Sequence, residues 1–286
     1  MGDRLTVLDV VQKSADFLER KSVESPRLNA EWLAAHALNI GRMELYMQFD
    51  RPLQPAELDL MRDLVSRRGK REPLQYIVGE TQFHDLLIKC DQRALIPRPE
   101  TEQLIDYIVD LGPEIDEMFS ILDLGTGTGA IAFALAKRFP YSKIVATDAS
   151  QDALELAEEN ALGNGLQNRI ELVRSHWFES LKEKGPFRLV VSNPPYLTDS
   201  ELETAEPEVR DFEPTSALLS GNDGMEDALR IISESIEYLE PSGSLWLETG
   251  VDQHEQLLDA CSNAGYQSFE GILDWADRSR FIHAVK

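Results

Sequence analysis

The 286-residue chain carries 51 acidic against 28 basic residues, a formal net charge of −23. Such a surface repels a phosphate backbone, and non-specific nucleic-acid binding rests on Lys and Arg displacing counterions, so DNA and RNA are poor expected partners. No run of 18 apolar residues predicts a membrane span, Met1-Gly2-Asp3-Arg4 lacks the layout of a signal peptide, and Cys90 and Cys261 are too few for a disulfide framework or a zinc site; a cytoplasmic protein without metal is the expectation.

The first stretch reads as helices. Val7, Val11, Ala15 and Leu18 share one helical face; Leu28, Trp32, Ala35 and Leu38 share another, ending at Gly41; Pro55 suits the first turn of a third, in which Leu58, Met61 and Val65 line up. The one basic run, Arg67-Arg68-Gly69-Lys70-Arg71, is either a local nucleic-acid patch or, the favoured reading, a solvated helix end whose cations suit the helix dipole. Gln75-Tyr76-Ile77-Val78 and Leu86-Leu87-Ile88 flank Gly79 as β-prone runs and predict a hairpin linker. The organisation expected is a helical bundle over 1–72, a hairpin linker over 73–98 and an α/β domain over 99–286.

In Ile96-Pro97-Arg98-Pro99-Glu100-Thr101-Glu102 two prolines forbid regular pairing, and Pro99 or Thr101 opens a helix carrying Leu104, Ile108 and Leu111. From Ser120 strand and helix alternate: strands at 121–124, 144–147, 170–173, 189–192, 244–247 and 280–285, with helices at 130–138 and 153–162. That order predicts a mostly parallel sheet with helices on both faces, whose ligands sit beyond the carboxyl ends of the strands. Residues 197–222 form a long loop of the length that usually carries function. His36, His84, His254 and His283 show no metal spacing, and Cys90 reads as a buried thiol.

Two motifs fall at strand ends. Gly125-Thr126-Gly127-Thr128-Gly129 follows a strand and opens a helix, where glycines allow close approach of backbone to ligand and the helix end offers free N–H groups. Asp148, 21 residues past Gly127, stands where a nucleoside cofactor wants a carboxylate for its ribose hydroxyls. Gly125, Gly127 and Ala130 also satisfy a loose dinucleotide pattern. Asp123 separates the two: it is unwelcome beside a pyrophosphate and helpful beside the cationic S-adenosylmethionine. The second motif, Asn193-Pro194-Pro195-Tyr196, suits a planar amide or amino nitrogen. Asn193 offers a side-chain carbonyl and Pro194 a backbone carbonyl, so both N–H groups of a poorly nucleophilic amide find acceptors; the prolines stiffen the turn, and Tyr196 gives an aromatic face.

These residues, with Pro73–Ile77, Gly79, Phe83, Leu95–Glu102, Trp177-Phe178, Phe212-Glu213-Pro214, Gly243 and Glu248, resemble the PrmC/HemK family of protein-(glutamine-N5) methyltransferases over nearly the whole chain. The resemblance implies a class I, Rossmann-like methyltransferase domain behind a small N-terminal helical domain. It implies S-adenosyl-L-methionine as cofactor, S-adenosyl-L-homocysteine as product and class I peptide chain release factors as protein substrates. Gly125 to Gly129, Asp148, Trp177 and Asn193 would contact the cofactor; Asn193, Pro194, Pro195 and Tyr196 would hold the glutamine of a Gly-Gly-Gln loop, with Asn193, Pro194 and Tyr196 carrying the chemistry; the bundle would help grip the factor. The family usually has Asp where this chain has His176. The rival reading is an N6-adenine nucleic-acid methyltransferase, which shares the N-P-P-Y motif and usually lacks the N-terminal domain.

Overall fold

A computed structural model describes residues 5–286; the expectation for Met1-Gly2-Asp3-Arg4 lies outside them. Two compact units divide the chain. One runs to Gly79 and takes back Glu206–Phe212; the other holds Glu80–Ala205 and Glu213–Lys286.

Among the described residues the first unit holds five consecutive helices and a sixth, short one in Glu206–Phe212. A reciprocal capping box opens α1 (Val7–Arg20): Asp9 N–H donates to the Thr6 hydroxyl, and Thr6 N–H donates to the Asp9 carboxylate at 2.9 Å. Val7, Val11, Ala15 and Leu18 are buried, as their spacing predicts. In α2 (Pro26–Leu38) the buried face is turned from the expected stripe: Ala30, Leu33, Ala34 and Ala35 go inside, whereas Leu28 and Trp32 stay about two-fifths exposed. Polar groups drive the rotation. Buried Asn29 donates to the Glu24 and Ser25 carbonyls and accepts from Arg68 Nε at 2.8 Å, contacts that fix which side faces in. Asn39, left-handed at φ 52°, ends α2 before Gly41. A short α3 (Arg42–Met47) follows, then α4 (Pro55–Gly69) with Pro55 in its first turn, and α5 (Leu74–Val78).

The basic run is neither a solvated helix end nor a free cationic patch. Arg67 pairs with Glu72, buried Arg68 reaches Glu208 at 2.6 Å, and Arg71 reaches Glu206 and Glu208, each at 2.6 Å. Glu206–Phe212 thus joins this unit through ion pairs to Arg68 and Arg71, and of the run's cations Lys70 alone stays exposed without an ion pair among the described residues.

The expected first hairpin arm, Gln75–Val78, is helix α5; Pro73 caps it at one end and left-handed Gly79 at the other. The hairpin pairs β1 (Glu80–Phe83) with β2 (Leu86–Lys89), Glu80 opposite Lys89. There follow α6 (Pro99–Leu111), β3 (Ser120–Leu124), α7 (Ala130–Arg138), β4 (Lys143–Asp148), α8 (Gln151–Gly163), β5 (Ile170–Arg174) and β6 (Phe187–Ser192). The long loop holds α9 (Asp199–Thr204) and α10 (Pro207–Phe212) and is followed by α11 (Glu226–Tyr238), β7 (Leu239–Glu248), α12 (His254–Ala264), β8 (Ser268–Leu273) and β9 (Ser279–Val285).

Seven strands form one sheet in the order β5-β4-β3-β6-β7-β9-β8, parallel from β5 to β7, with β9 antiparallel to both neighbours. Leu122, Leu124, Val190, Leu245 and Leu247 pack with Ile231 and Ile232 of α11 and Leu257 and Cys261 of α12; the alternate residues Ile121, Leu189, Val191 and Trp246 are equally buried, so the sheet is covered on both faces. The chain leaves β3 toward β4 and β5 and returns to β6 on its other side. The switch point therefore lies between β3 and β6, where this class of sheet opens a crevice.

Candidate active site

Register brings the two motifs together. Thr147, Leu124, Ser192 and Leu247 lie side by side across β4, β3, β6 and β7. The next residue on each strand therefore forms a second row at the carboxyl edge: Asp148, Gly125, Asn193 and Glu248. The Ser192 hydroxyl donates to the Leu124 carbonyl at 2.7 Å and ties the two motif-bearing strands at their ends.

A cavity of about 550 Å³ opens over this row. Gly125, Thr126, Gly127, Thr128, Asp148, Trp177, Asn193 and Pro195 line it. Gly129, Pro194 and Tyr196 do not. Gly129 is the left-handed residue before α7, at φ 87°, and a Cβ there would stand 2.1 Å from the Phe133 ring, so its need for glycine comes from packing. Pro194 is buried, and the half-buried Tyr196 ring lies 5.9 Å from the Arg280 guanidinium.

The loop's backbone is held open. Gly125 and Gly127 have φ of 70° and 53°, and a Cβ on Gly127 would meet nothing nearer than Ala94 at 3.7 Å. Asp148 accepts the Gly127 N–H at 2.9 Å through one oxygen and the Ser150 N–H at 2.8 Å through the other, which fixes its carboxylate at the cavity wall. Burial raises its pKa despite these bonds. Asp123 does not line the cavity, contrary to the role its position suggested. It folds beneath the loop, accepting the Thr126 hydroxyl at 2.6 Å and the Ala132 N–H at 3.2 Å, while its Oδ1 has no partner. Full burial pushes it up to about 7.

Trp177 adopts φ 51°, its ring close above Gly125, and its indole N–H donates to Asp227 at 2.9 Å. His176 is exposed at the rim of the cavity, with Arg230 and Glu179 at 2.8 and 3.2 Å from its Nδ1.

Several further residues, some of them in the stretches that carry the resemblance, hold the site together through contacts that the sequence does not show. The Glu213 carboxylate accepts the Ile96 N–H at 3.2 Å and pairs with Arg98, binding the Ile96-Pro97-Arg98 wall to the Phe-Glu-Pro segment. Gln253 donates to the Tyr196 and Gly224 carbonyls at 3.1 and 3.0 Å and buttresses the end of the catalytic turn. Gly224 passes so close that a Cβ would stand 2.4 Å from the Tyr196 oxygen. Asn193 Nδ2 donates to the Thr101 hydroxyl at 3.3 Å, and that hydroxyl donates to Glu248 at 2.7 Å. Only proximity in the fold reveals these partners. Among the described residues no group of three His, Cys, Asp or Glu side chains gathers as a metal site.

Comparison with known proteins gives the arrangement a context. A family model described as the PrmC N-terminal domain matches residues 9–79, and one described as the methyltransferase small domain matches residues 109–208. The release factor glutamine methyltransferase of Geobacter sulfurreducens is 41% identical over 261 residues, 91% of this chain and 90% of the relative. That of Rhodopirellula baltica is 37% identical over 98% of this chain and 96% of its own length. Among solved structures, a methyltransferase from Pyrococcus furiosus superimposes with a TM-score of 0.53 at 19% identity, covering 71% of this chain and 90% of that one. The N-terminal domain of human METTL16 in complex with SAH gives 0.53 at 17% identity, covering 78% and 82%. At such identities these structures speak to the fold alone.

Proposed function

The chain belongs to the release factor glutamine methyltransferase family, and from that premise we propose that it methylates the side-chain amide nitrogen of the Gly-Gly-Gln glutamine in class I peptide chain release factors, using S-adenosyl-L-methionine. One observation carries the reading: Asp148, Gly125 and Asn193 follow neighbouring positions on three adjacent parallel strands and line one cavity.

The residues fit the cofactor. The open face of Gly127 admits a ligand against the backbone, Asp148 holds acceptor lone pairs toward the ribose hydroxyls, and Thr126, Thr128 and the Trp177 face complete the walls. When bound, S-adenosylmethionine supplies an electrophilic methyl on a sulfonium. Everything else falls to the chain. An amide nitrogen is a weak nucleophile because its lone pair is delocalised. Asn193 Oδ1 and the Pro194 carbonyl accept its two N–H bonds, and both bonds strengthen as positive charge develops on the attacking nitrogen. Pro194 and Pro195 keep the two acceptors in place, and Tyr196 offers its face to the planar amide. The helical unit is assigned the grip on the folded factor.

No helix among the described residues is long and apolar enough to cross a membrane. The net charge of −23 and the internal pairing of the basic run argue against nucleic acid as substrate. Cys90 and Cys261 are buried free thiols, each pushed up to about 12 by burial, in keeping with work in the cytoplasm. The test is mass spectrometry of a purified release factor after incubation with this protein and S-adenosylmethionine. A gain of one methyl on the Gly-Gly-Gln glutamine, with none on duplex DNA, is expected. An unmodified factor, or a methylated adenine, would overturn the reading.

A further inference from the structure

An asparagine amide has two similar ends, and only one of them can serve the reaction. Oδ1 accepts a hydrogen bond from the target amide; Nδ2, which only donates, would present its hydrogens to the target's own N–H groups. The turn that carries Asn193 stiffens its backbone but leaves the side chain free to rotate by half a turn. Something beyond Asn193-Pro194-Pro195-Tyr196 must set which end faces the cavity.

We infer that Thr101 and Glu248 are positioning residues that hold Asn193 with its oxygen toward the target amide, through a directed chain of hydrogen bonds from Asn193 Nδ2 to Thr101 Oγ1 and from Thr101 Oγ1 to Glu248 Oε2. The inference rests on the amide-acceptor role proposed for Asn193. The two distances are 3.3 and 2.7 Å. Thr101 and Glu248 are 4% and 1% exposed; Thr101 borders the cavity and Glu248 lies behind it, outside the lining. Their sources are separate: Thr101 lies in the first turn of α6, and Glu248 ends β7 beside the β6 end that launches Asn193.

The direction follows from counting protons. An ionised Glu248 only accepts, so the single Thr101 hydroxyl proton goes to it. What Thr101 then offers Asn193 is a lone pair, and only Nδ2 can use it. The flipped amide would set Oδ1 against that lone pair, oxygen to oxygen. The chain of donors thus selects one of two otherwise similar rotamers.

The experiment compares single-turnover methylation of a release factor at saturating S-adenosylmethionine, with cofactor affinity and melting temperature read alongside. Thr101→Val, which keeps the shape and removes the hydroxyl, should slow methyl transfer about tenfold, the scale of one hydrogen bond, with cofactor affinity unchanged. Thr101→Ser, which restores the hydroxyl, should recover most of the rate. The decisive arm is Asn193→Asp. A carboxylate has equivalent oxygens and no wrong end, so adding Thr101→Val to it should cost nothing further. A purely structural role predicts the same loss in both backgrounds, and that result would overturn the inference, as would a wild-type rate in Thr101→Val. Asn193→Ala in the same assay separates the two levels of argument: if it keeps the wild-type rate, the acceptor role itself fails, whereas an inactive Asn193→Ala beside a fully active Thr101→Val removes only the positioning chain.

Discussion

The carboxyl edge of the sheet and the helical unit treat buried charge in opposite ways. In the helical unit Glu31 is buried, yet hydrogen bonds from Tyr46, Arg27 and Arg42 outweigh the burial and hold it below the usual carboxylate range. Glu208 is likewise penalised by burial and brought down by Arg71 and Arg68. At the sheet edge, burial wins. Asp123 keeps one oxygen without a partner, Glu248 has Thr101 for its side-chain hydrogen bond, and both carboxyls are pushed up to about 7. The buried carboxylates named in the helical unit are met by arginines, whereas Glu248 has a hydroxyl for its partner and through it reaches Asn193, so its charge can bear on the reacting group.

Mutations on the two sides should therefore fail differently. Asn193→Ala removes an acceptor that strengthens in the transition state, and should lower the single-turnover rate by about 10²–10³, by analogy with lost oxyanion-hole donors. Cofactor affinity should fall far less, because Asp148 and the glycine loop remain. On the helical side, Arg68→Ala leaves Asn29 without its donor and Glu208 with Arg71 alone, and losing these buried hydrogen bonds should cost about 1–3 kcal/mol. Thermal unfolding should show a clear drop in stability. An unchanged melting temperature would mean that the paired charges there are ornamental and would dissolve the contrast.

Asp148→Ala should weaken S-adenosylmethionine binding about ten- to a hundredfold, the cost of lost charge-assisted hydrogen bonds. Calorimetry decides it, and an unaltered dissociation constant would remove Asp148 from the cofactor site. The smallest effect belongs to His176→Asp. His176 borders the cavity, but its Nδ1 is engaged by Arg230 and Glu179, so replacing it by Asp should leave cofactor affinity within about twofold, a change in binding free energy well under 1 kcal/mol. A large loss would assign the histidine a contact of its own.

What could be read in advance divides along the same line. The strands that carry the motifs are buried on both faces and write themselves as apolar runs, so β3, β4, β6 and their strand-end residues were legible, and with them the convergence of Gly125, Asp148 and Asn193. β8 was not: it is an edge strand, largely exposed, with Gly271 in its middle, and it shows neither an apolar run nor alternation. Gln75–Val78 failed for a related reason, since a short apolar run fits one helical turn as well as a strand. The face of α2 was misjudged because Asn29, a polar residue, takes a core position through its pairing with Arg68. Thr101 and Glu248 stood in stretches that carry the family resemblance, but their link to Asn193, like the contacts of Asp227 and Gln253, joins residues distant in the chain and is disclosed only by register and packing.

The contrast comes down to whether the poorly paired carboxyl at the edge serves the reaction, and Glu248 is where that can be measured. Besides Thr101 it faces Arg280 on β9, Arg98 and Glu100 at the start of α6, and Tyr196, which burial pushes up to about 12 and which stays neutral over the working range. Ionised, Glu248 takes the Thr101 proton and keeps Asn193 in its productive rotamer. Protonated, it donates toward Thr101 and reverses the chain. The sign follows: activity is present above the raised pKa and lost as the pH falls through it. The measurement is the single-turnover methylation rate against pH at saturating cofactor, for the wild-type protein and Glu248→Gln. The wild-type rate should rise through a pH of about 7 to a plateau, and Glu248→Gln should show a lower rate without that rise. A wild-type rate flat across this range, or the same rise in Glu248→Gln, would contradict it.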